Sequence, residues 1–454
     1  MSTERESWKS RLGFVFAAVG SAVGLANIWK FPYTVGNSGG AAFIILYLAA
    51  LLLIGLPVFV SEVLIGRAAK SNPRGAMRRL SGSKMWEGMG MMMVITGFIV
   101  SAFYSAVAGW IFGYLVEAAS GRLSAISSAQ EAQDLYSSLM TNPYWGVGFH
   151  LLFIGVCMGL LYTGVQHGIE RGNKIMMPAL IVVLLLLVFK GLTLPGAGEG
   201  LRFLLSPDWS QVTGAVVLSA LGQSFFTLSV GQGTMITYGS YLDDDANIVS
   251  SCVPIALIDT LISIMSTVAV FTIVFSAGLE PTSGPGLLFH TLPLVFGQIS
   301  GGYIVALLFF LLVVLAAVSS EISAMEPLIA YLMNEKGWTR HHAVLLCAGA
   351  AFVLGIPCAL SSSLLSQYQI YGMSFLDLMA FVATEILVPV GGLASVVFVG
   401  WRWGIKDALK NLRQGSEGLF KRAPWILTYF RYGMCYVAPA LVILVFLNGL
   451  GLFG

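Results

Sequence analysis

Three observations predict an all-α fold that crosses a membrane many times. Of the residues, 57% are hydrophobic and 10% charged, and apolar stretches recur that are long enough, at about 20 residues, to span a hydrocarbon core. Lys and Arg concentrate on alternate connections between those stretches. Two of the stretches are interrupted at mid-span by Gly, Ser, Asn or Gln.

Hydropathy sets eleven spans, at 11–36, 41–69, 87–118, 146–163, 167–190, 214–241, 247–278, 300–333, 338–358, 372–400 and 428–450. The first lies within GFVFAAVGSAVGLANIWKFPYTVGNSGG (Gly13 to Gly40) and carries Gly20, Gly24 and Asn27 at its middle. The second, third and fourth rest on hydropathy alone. The fifth opens with Gly168 and Gly172 and carries Pro178. Gly lowers helix propensity and Pro178 removes an intrahelical hydrogen bond, so this end is expected either to unwind as a hinge or to hold a static kink. The sixth contains LGQSFFTLSVGQGTMITYGSY (Leu221 to Tyr241), with Ser229, Gly231, Gln232 and Gly233 near its middle. The seventh holds an acid, Asp259, and the eighth the segment AAVSSEISAMEP (Ala316 to Pro327). The last three again rest on hydropathy.

An odd number of spans places the termini on opposite sides. With the N-terminus cytoplasmic, all of the 24 Lys and Arg residues except Lys30, Arg122, Lys190 and Arg202 fall on or beside cytoplasmic segments, which sets that orientation. The C-terminus is then extracellular and the expected location a bacterial inner membrane. Asp243, Asp244 and Asp245 run against the bias, but acids weigh little in it.

Lipid offers no hydrogen-bond partners, so backbone groups freed by a mid-span break must line a cavity or bind something polar. Gly20 and Gly24, taken alone, also form a GxxxG pair suited to close helix packing. Asn27, which packing does not require, and a second interruption five helices later favour a break. Corresponding interruptions in two five-helix halves are the sequence pattern of a transporter built from inverted repeats, with its site between them. One transporter domain is expected over 1–454: a first repeat at 11–190, an inverted second at 214–400 and an extra helix at 428–450.

The net charge of +2 and its dispersal give no reason to expect a nucleic-acid partner; the partners expected are a small molecule, ions and the bilayer, with no protein partner required. Cys157, Cys252, Cys347, Cys358 and Cys435 lie in apolar stretches without metal-ligand spacing and read as packing residues. The five His residues pair with no intramembrane acid or nucleophile in any motif, and no phosphate-binding Gly–Lys loop occurs, so an enzyme is not expected. The polar start MSTERESWKSR precedes a long span rather than a short signal core, and is expected to be retained.

GSAVGLANIWKFP (Gly20 to Pro32), GQSFFTLSVGQG (Gly222 to Gly233) and AAVSSEISAMEP resemble, together and in order, the neurotransmitter:sodium symporters. The resemblance covers all eleven spans; the family usually has twelve. It implies sodium-driven uptake of amino acids or amines by alternating access. It implies a first sodium on Ala22, Asn27, Thr227 and Asp259, and a second on Gly20, Val23, Ala316, Ser319 and Ser320. All are hard oxygen ligands, suited to a cation exchanging its water shell for carbonyls, hydroxyls and carboxylates. The family usually has Asn at the place of Asp259, and many chloride-independent members carry a carboxylate one turn further on, where this chain has Ser263. Asp259 is accordingly expected to balance the sodium charge without chloride.

By the same resemblance the substrate carboxylate meets the break near Ala22 and Gly24 and the hydroxyl of Tyr104, and its ammonium meets carbonyls near Phe226, Thr227 and Ser229. The side chain faces Val100, Phe226, Gln232, Ser320 and Ala324. With no charge there, and small Ala324, the expected substrates are hydrophobic L-amino acids, aromatic and branched aliphatic. Lys30 with Asp377 forms the outer gate. Arg5, Trp8 and Tyr241 form the inner one, with Glu335 a substitute for an acid the family places at Asn334. Two rivals stay open: a proton-coupled transporter using Asp259 or Glu62, and a sensor that binds amino acid without transporting it.

Overall fold

The computed structural model describes residues 6–279 and 284–452; Arg5, expected at the inner gate, lies outside them. The described chain is built of helices and connecting turns, with two isolated bridges and no strand. Among the described residues, nine helices are each long and apolar enough to cross a membrane, namely Ala41–Ala69 (span 2), Lys84–Ala119 (span 3), Pro143–Tyr162 (span 4), Val165–Leu192 (span 5), Ile248–Ser276 (span 7), Gly302–Lys336 (span 8), Arg340–Ala359 (span 9), Phe375–Arg402 (span 10) and Trp425–Gly449 (span 11). The other two crossings are broken. Span 1 comprises 1a (Arg11–Ala22) and 1b (Ala26–Asn37), bent by 53°. Span 6 comprises 6a (Gly214–Thr227) and 6b (Thr234–Ser240).

Polar residues stop these helices where the apolar runs end. Asn142, Thr213, Asn247 and Thr339 cap spans 4, 6a, 7 and 9, each accepting from an amide of the first turn and satisfying a donor that lipid cannot. All five cysteines are buried and none is in a disulfide.

Spans 1 and 6 are framed by packing that only small residues permit. A Cβ on Gly66 of span 2 would sit 1.9 Å from the Ile236 carbonyl of 6b, and one on Gly239 of 6b would sit 2.4 Å from the Val63 carbonyl of span 2. Spans 2 and 6b therefore touch backbone to backbone, as small residues allow in membranes. Spans 3 and 8, the longest at 36 and 35 residues, lie side by side and supply the facing wall. A short buried contact from Ser101 Oγ to Glu321 Oε1 ties them together.

The start of span 5 departs from a regular helix. Val165–Glu170 is wound with i→i+5 bonds, a wider turn of the kind that recurs at functional positions, and Pro178 lies inside the helix that follows. Gly168 has a packing reason, since a Cβ there would lie 1.9 Å from the Leu160 carbonyl of span 4.

Candidate substrate and ion site

The break in span 1 is a consequence of which amides stay home. The Val23 amide still bonds the Val19 carbonyl, 2.7 Å away, but the Gly24 amide turns to Asn27 Oδ1 at 3.0 Å and the Leu25 amide to Tyr104 Oη at 3.4 Å. Among the described residues, no backbone amide reaches the carbonyls of Gly20, Ser21, Ala22 or Val23. Ser320 Oγ of span 8 lies 3.4, 3.2 and 3.2 Å from the carbonyls of Gly20, Ser21 and Val23. A hydroxyl has a single hydrogen, so it cannot satisfy all three, and a group of under-bonded carbonyls suits a hard cation. Ser319 Oγ, one residue before, donates to the Ala316 carbonyl at 2.9 Å. Asn173 Oδ1 of span 5, buried and without a hydrogen-bond partner, lies against Gly20.

A second cluster sits on the other side of the break. Asn27 Nδ2 donates to Asp259 Oδ1 (2.7 Å) and to Ser263 Oγ (2.8 Å). Tyr47 Oη donates to Asp259 Oδ2 at 3.5 Å and shares a 3.2 Å bond with Thr227 Oγ1. Asn27, Tyr47, Thr227, Asp259 and Ser263 are all 0% exposed. Asp259 pairs with no basic side chain among the described residues. A fully buried carboxylate without a counter-charge is costly unless a cation joins it.

The break in span 6 is built differently. Ser229, Gly231 and Gly233 have φ of +52°, +85° and +80°. The left-handed conformation of Ser229, unfavourable for a residue with a Cβ, is held by its hydroxyl donating to the Ser21 carbonyl at 2.7 Å, which ties one break to the other. The Gly231 amide donates to Glu62 Oε1 of span 2 at 2.7 Å, and Ser395 of span 10 donates to the same oxygen at 3.1 Å.

Between the breaks lies a cavity of about 50 Å³ whose wall includes Ala22, Gly24, Val100, Tyr104, Phe226, Ser229, Gln232, Ser320 and Ala324. The residues expected around a substrate thus share one enclosure, apart from Thr227, which belongs to the Asn27 cluster. Ser21, Leu25, Ala26, Val230 and Val388 also line it and were missed. The first three adjoin Ala22 and Gly24 in a motif already singled out, whereas nothing in the sequence marks Val388 of span 10 as a neighbour.

The profile of the Sodium:neurotransmitter symporter family matches residues 5–136 and 141–453. The chain belongs to the sodium:neurotransmitter symporter family. It is 37% identical over 445 residues to the sodium-dependent transporter YhdH of Bacillus subtilis, and 33% identical over 457 residues to a sodium-dependent transporter of Haemophilus influenzae, each match covering 98% of both chains. The crystal structure of MhsT in complex with L-phenylalanine superposes with a TM-score of 0.88 at 40% identity, covering 98% of this chain and all of that one. The protein is therefore a multi-pass, sodium-dependent membrane transporter rather than an enzyme.

The symporter closes its two ends unequally. At the end holding Trp8, its Nε1 donates to the Tyr238 carbonyl (2.9 Å) and its ring meets Tyr241 edge to face. Tyr241 Oη donates to Glu326 Oε1 (2.7 Å), and Arg340 grips Glu326 with two bonds of 2.9 and 2.8 Å while also lying 3.4 Å from Glu6. Glu335 is not part of this closure, because it is held by Arg78 at 2.7 and 3.0 Å, and Asn334 bonds its own helix. Glu326 lies within AAVSSEISAMEP and could have been read from it; Arg340 could not.

At the opposite end the expected pairing of Lys30 with Asp377 is not formed. Asp377 is exposed and accepts from Ser374, the residue capping its own helix (2.7 Å). Lys30 Nζ instead lies over the Phe226 ring, 4.9 Å from its centre, in a cavity of about 180 Å³ whose acid is Glu385. Phe226 and Val388 line this cavity and the smaller one alike, so they partition the two.

Proposed function

We propose that the protein takes up hydrophobic L-amino acids, aromatic and branched aliphatic, with sodium as co-substrate and without chloride, by alternating access with the N-terminus cytoplasmic and the C-terminus extracellular. Asp259 carries the reading. Its buried carboxylate lacks a basic partner and touches Asn27 and Tyr47, so it supplies beside the break in span 1 the negative charge for which chloride would otherwise be needed. One sodium is held by Ala22, Asn27, Thr227 and Asp259. A second is held by Gly20, Val23, Ala316, Ser319 and Ser320, where the under-bonded carbonyls support it.

The substrate carboxylate takes the amides at the start of 1b, where a helix N-terminus favours an anion, together with the Tyr104 hydroxyl. The ammonium takes carbonyls at the end of 6a. Because that carboxylate and the first sodium share the same break, binding of each favours the other. MhsT was crystallised with L-phenylalanine, which supports a hydrophobic substrate here. The halves 11–190 and 214–400 act as inverted repeats around the site, and unwinding at Gly168 to Pro178 opens a water path to the second sodium.

The test is uptake of labelled Leu, Trp and Phe into sealed vesicles of purified protein, with an imposed sodium gradient and with chloride replaced by gluconate. Accumulation that needs sodium and survives chloride removal, joined by a new chloride requirement in Asp259→Asn, is the expected result. Uptake driven by a pH gradient without sodium overturns sodium coupling in favour of protons, and binding without accumulation overturns transport in favour of a sensor.

A further inference from the structure

We infer that the substrate side chain ends in an uncharged hydrogen-bonding group, the indole N–H of Trp or the phenol O–H of Tyr, and that Gln232 together with Ser21 recognises it. This rests on the amino-acid reading above and narrows it.

The cavity wall is apolar where Val100, Phe226, Val230, Ala324 and Val388 contribute. Its other polar side chains already have a partner: Ser229 Oγ on the Ser21 carbonyl, Ser320 Oγ on the carbonyls of span 1, and Tyr104 Oη, which accepts from the Leu25 amide and keeps its proton for the substrate carboxylate. Two are free. Ser21 Oγ is buried and has no hydrogen-bond partner. Gln232, only 8% exposed, makes no side-chain hydrogen bond to any described residue.

Gln232 stands between two left-handed glycines, Gly231 and Gly233, and the Gly231 amide is fixed by Glu62, so its backbone is anchored. A carboxamide offers a donor and an acceptor. A ligand that covers such a group without bonding it loses affinity, and sites that bond a substrate hydroxyl or N–H reject the analogue lacking it far more strongly than an apolar pocket rejects a missing methylene. No charged side chain lines the cavity, which excludes a charged group on the substrate. The remaining requirement is a mainly apolar side chain with one neutral hydrogen-bonding group, which the N–H of Trp and the O–H of Tyr both meet by donating to the Gln232 carboxamide oxygen.

The experiment is competition binding in sodium on the purified full-length protein, using the pairs Tyr against Phe and Trp against 1-methyltryptophan, each differing at the donor. The expected result is a preference of about ten-fold or more for the donor-bearing member of at least one pair. Gln232→Leu brings that ratio to within about two-fold, and Ser21→Ala lowers it partially. Should Gln232→Leu fail to fold, as judged by its melting temperature, Gln232→Met takes its place. Equal affinities within both pairs in the unaltered protein, or a ratio unchanged by Gln232→Leu, overturn the inference while leaving amino-acid uptake intact. Sodium-dependent binding of none of the four ligands overturns the amino-acid reading itself and this inference with it.

Discussion

The two ends of the site are closed by different physics. At the end holding Trp8, a buried two-pronged ion pair between Arg340 and Glu326 is joined by Tyr241. At the other, Lys30 rests on the Phe226 ring and shares a cavity of about 180 Å³ with Glu385. A desolvated, fully bonded pair breaks only if all its members separate, whereas a cation over a ring can slide with little loss. In the proposed orientation this means a latch on the cytoplasmic side and a lid on the outside.

The largest effect is expected at the latch. Arg340→Ala leaves Glu326 buried without its counter-charge, at a cost of about 3–5 kcal/mol. Thermal melting should drop sharply and uptake fall at least ten-fold, with Arg340→Lys recovering part, since an ammonium lacks the two-pronged fork. Uptake within two-fold of normal would remove the contrast between the ends. Next is Gly168→Ala, which forces a methyl onto the Leu160 carbonyl and should cost about 1–3 kcal/mol by overpacking, read as a lowered melting temperature.

At the lid, Lys30→Gln removes a cation–π contact worth about 0.5–2 kcal/mol. It should speed dissociation of labelled amino acid from the sodium-bound protein by up to about ten-fold without abolishing the sodium requirement. Asp377→Asn is expected to change that rate by no more than two-fold. If the two substitutions behave alike, Asp377 belongs to the lid after all and the comparison must be redrawn.

Much of this was legible in the chain because lipid makes its demands locally. A run of about 20 apolar residues must cross, and polar atoms at its middle must be used, so the spans and both interruptions follow from short stretches of sequence, whereas the grouping of Asn27 with Thr227 and Asp259, and of Ser320 with span 1, came from the resemblance to the family. Less legible were the places where two distant segments had to be paired by charge. Asp377 had a nearer partner in Ser374, and Glu335 had one in Arg78. Side chains select partners by distance after packing, and sequence position does not encode that distance.

The sequence by itself determined an all-α membrane protein with two broken spans, because hydropathy and the expense of unsatisfied backbone in lipid act on each segment alone. Only the tertiary structure decided that Ser229 bonds the Ser21 carbonyl, that Glu62 holds the break in span 6, that Val388 closes the cavity and that Gln232 faces it without a partner. Those facts depend on how spans 1, 2, 6, 8 and 10 converge, and convergence is a property of the packed bundle rather than of any one helix.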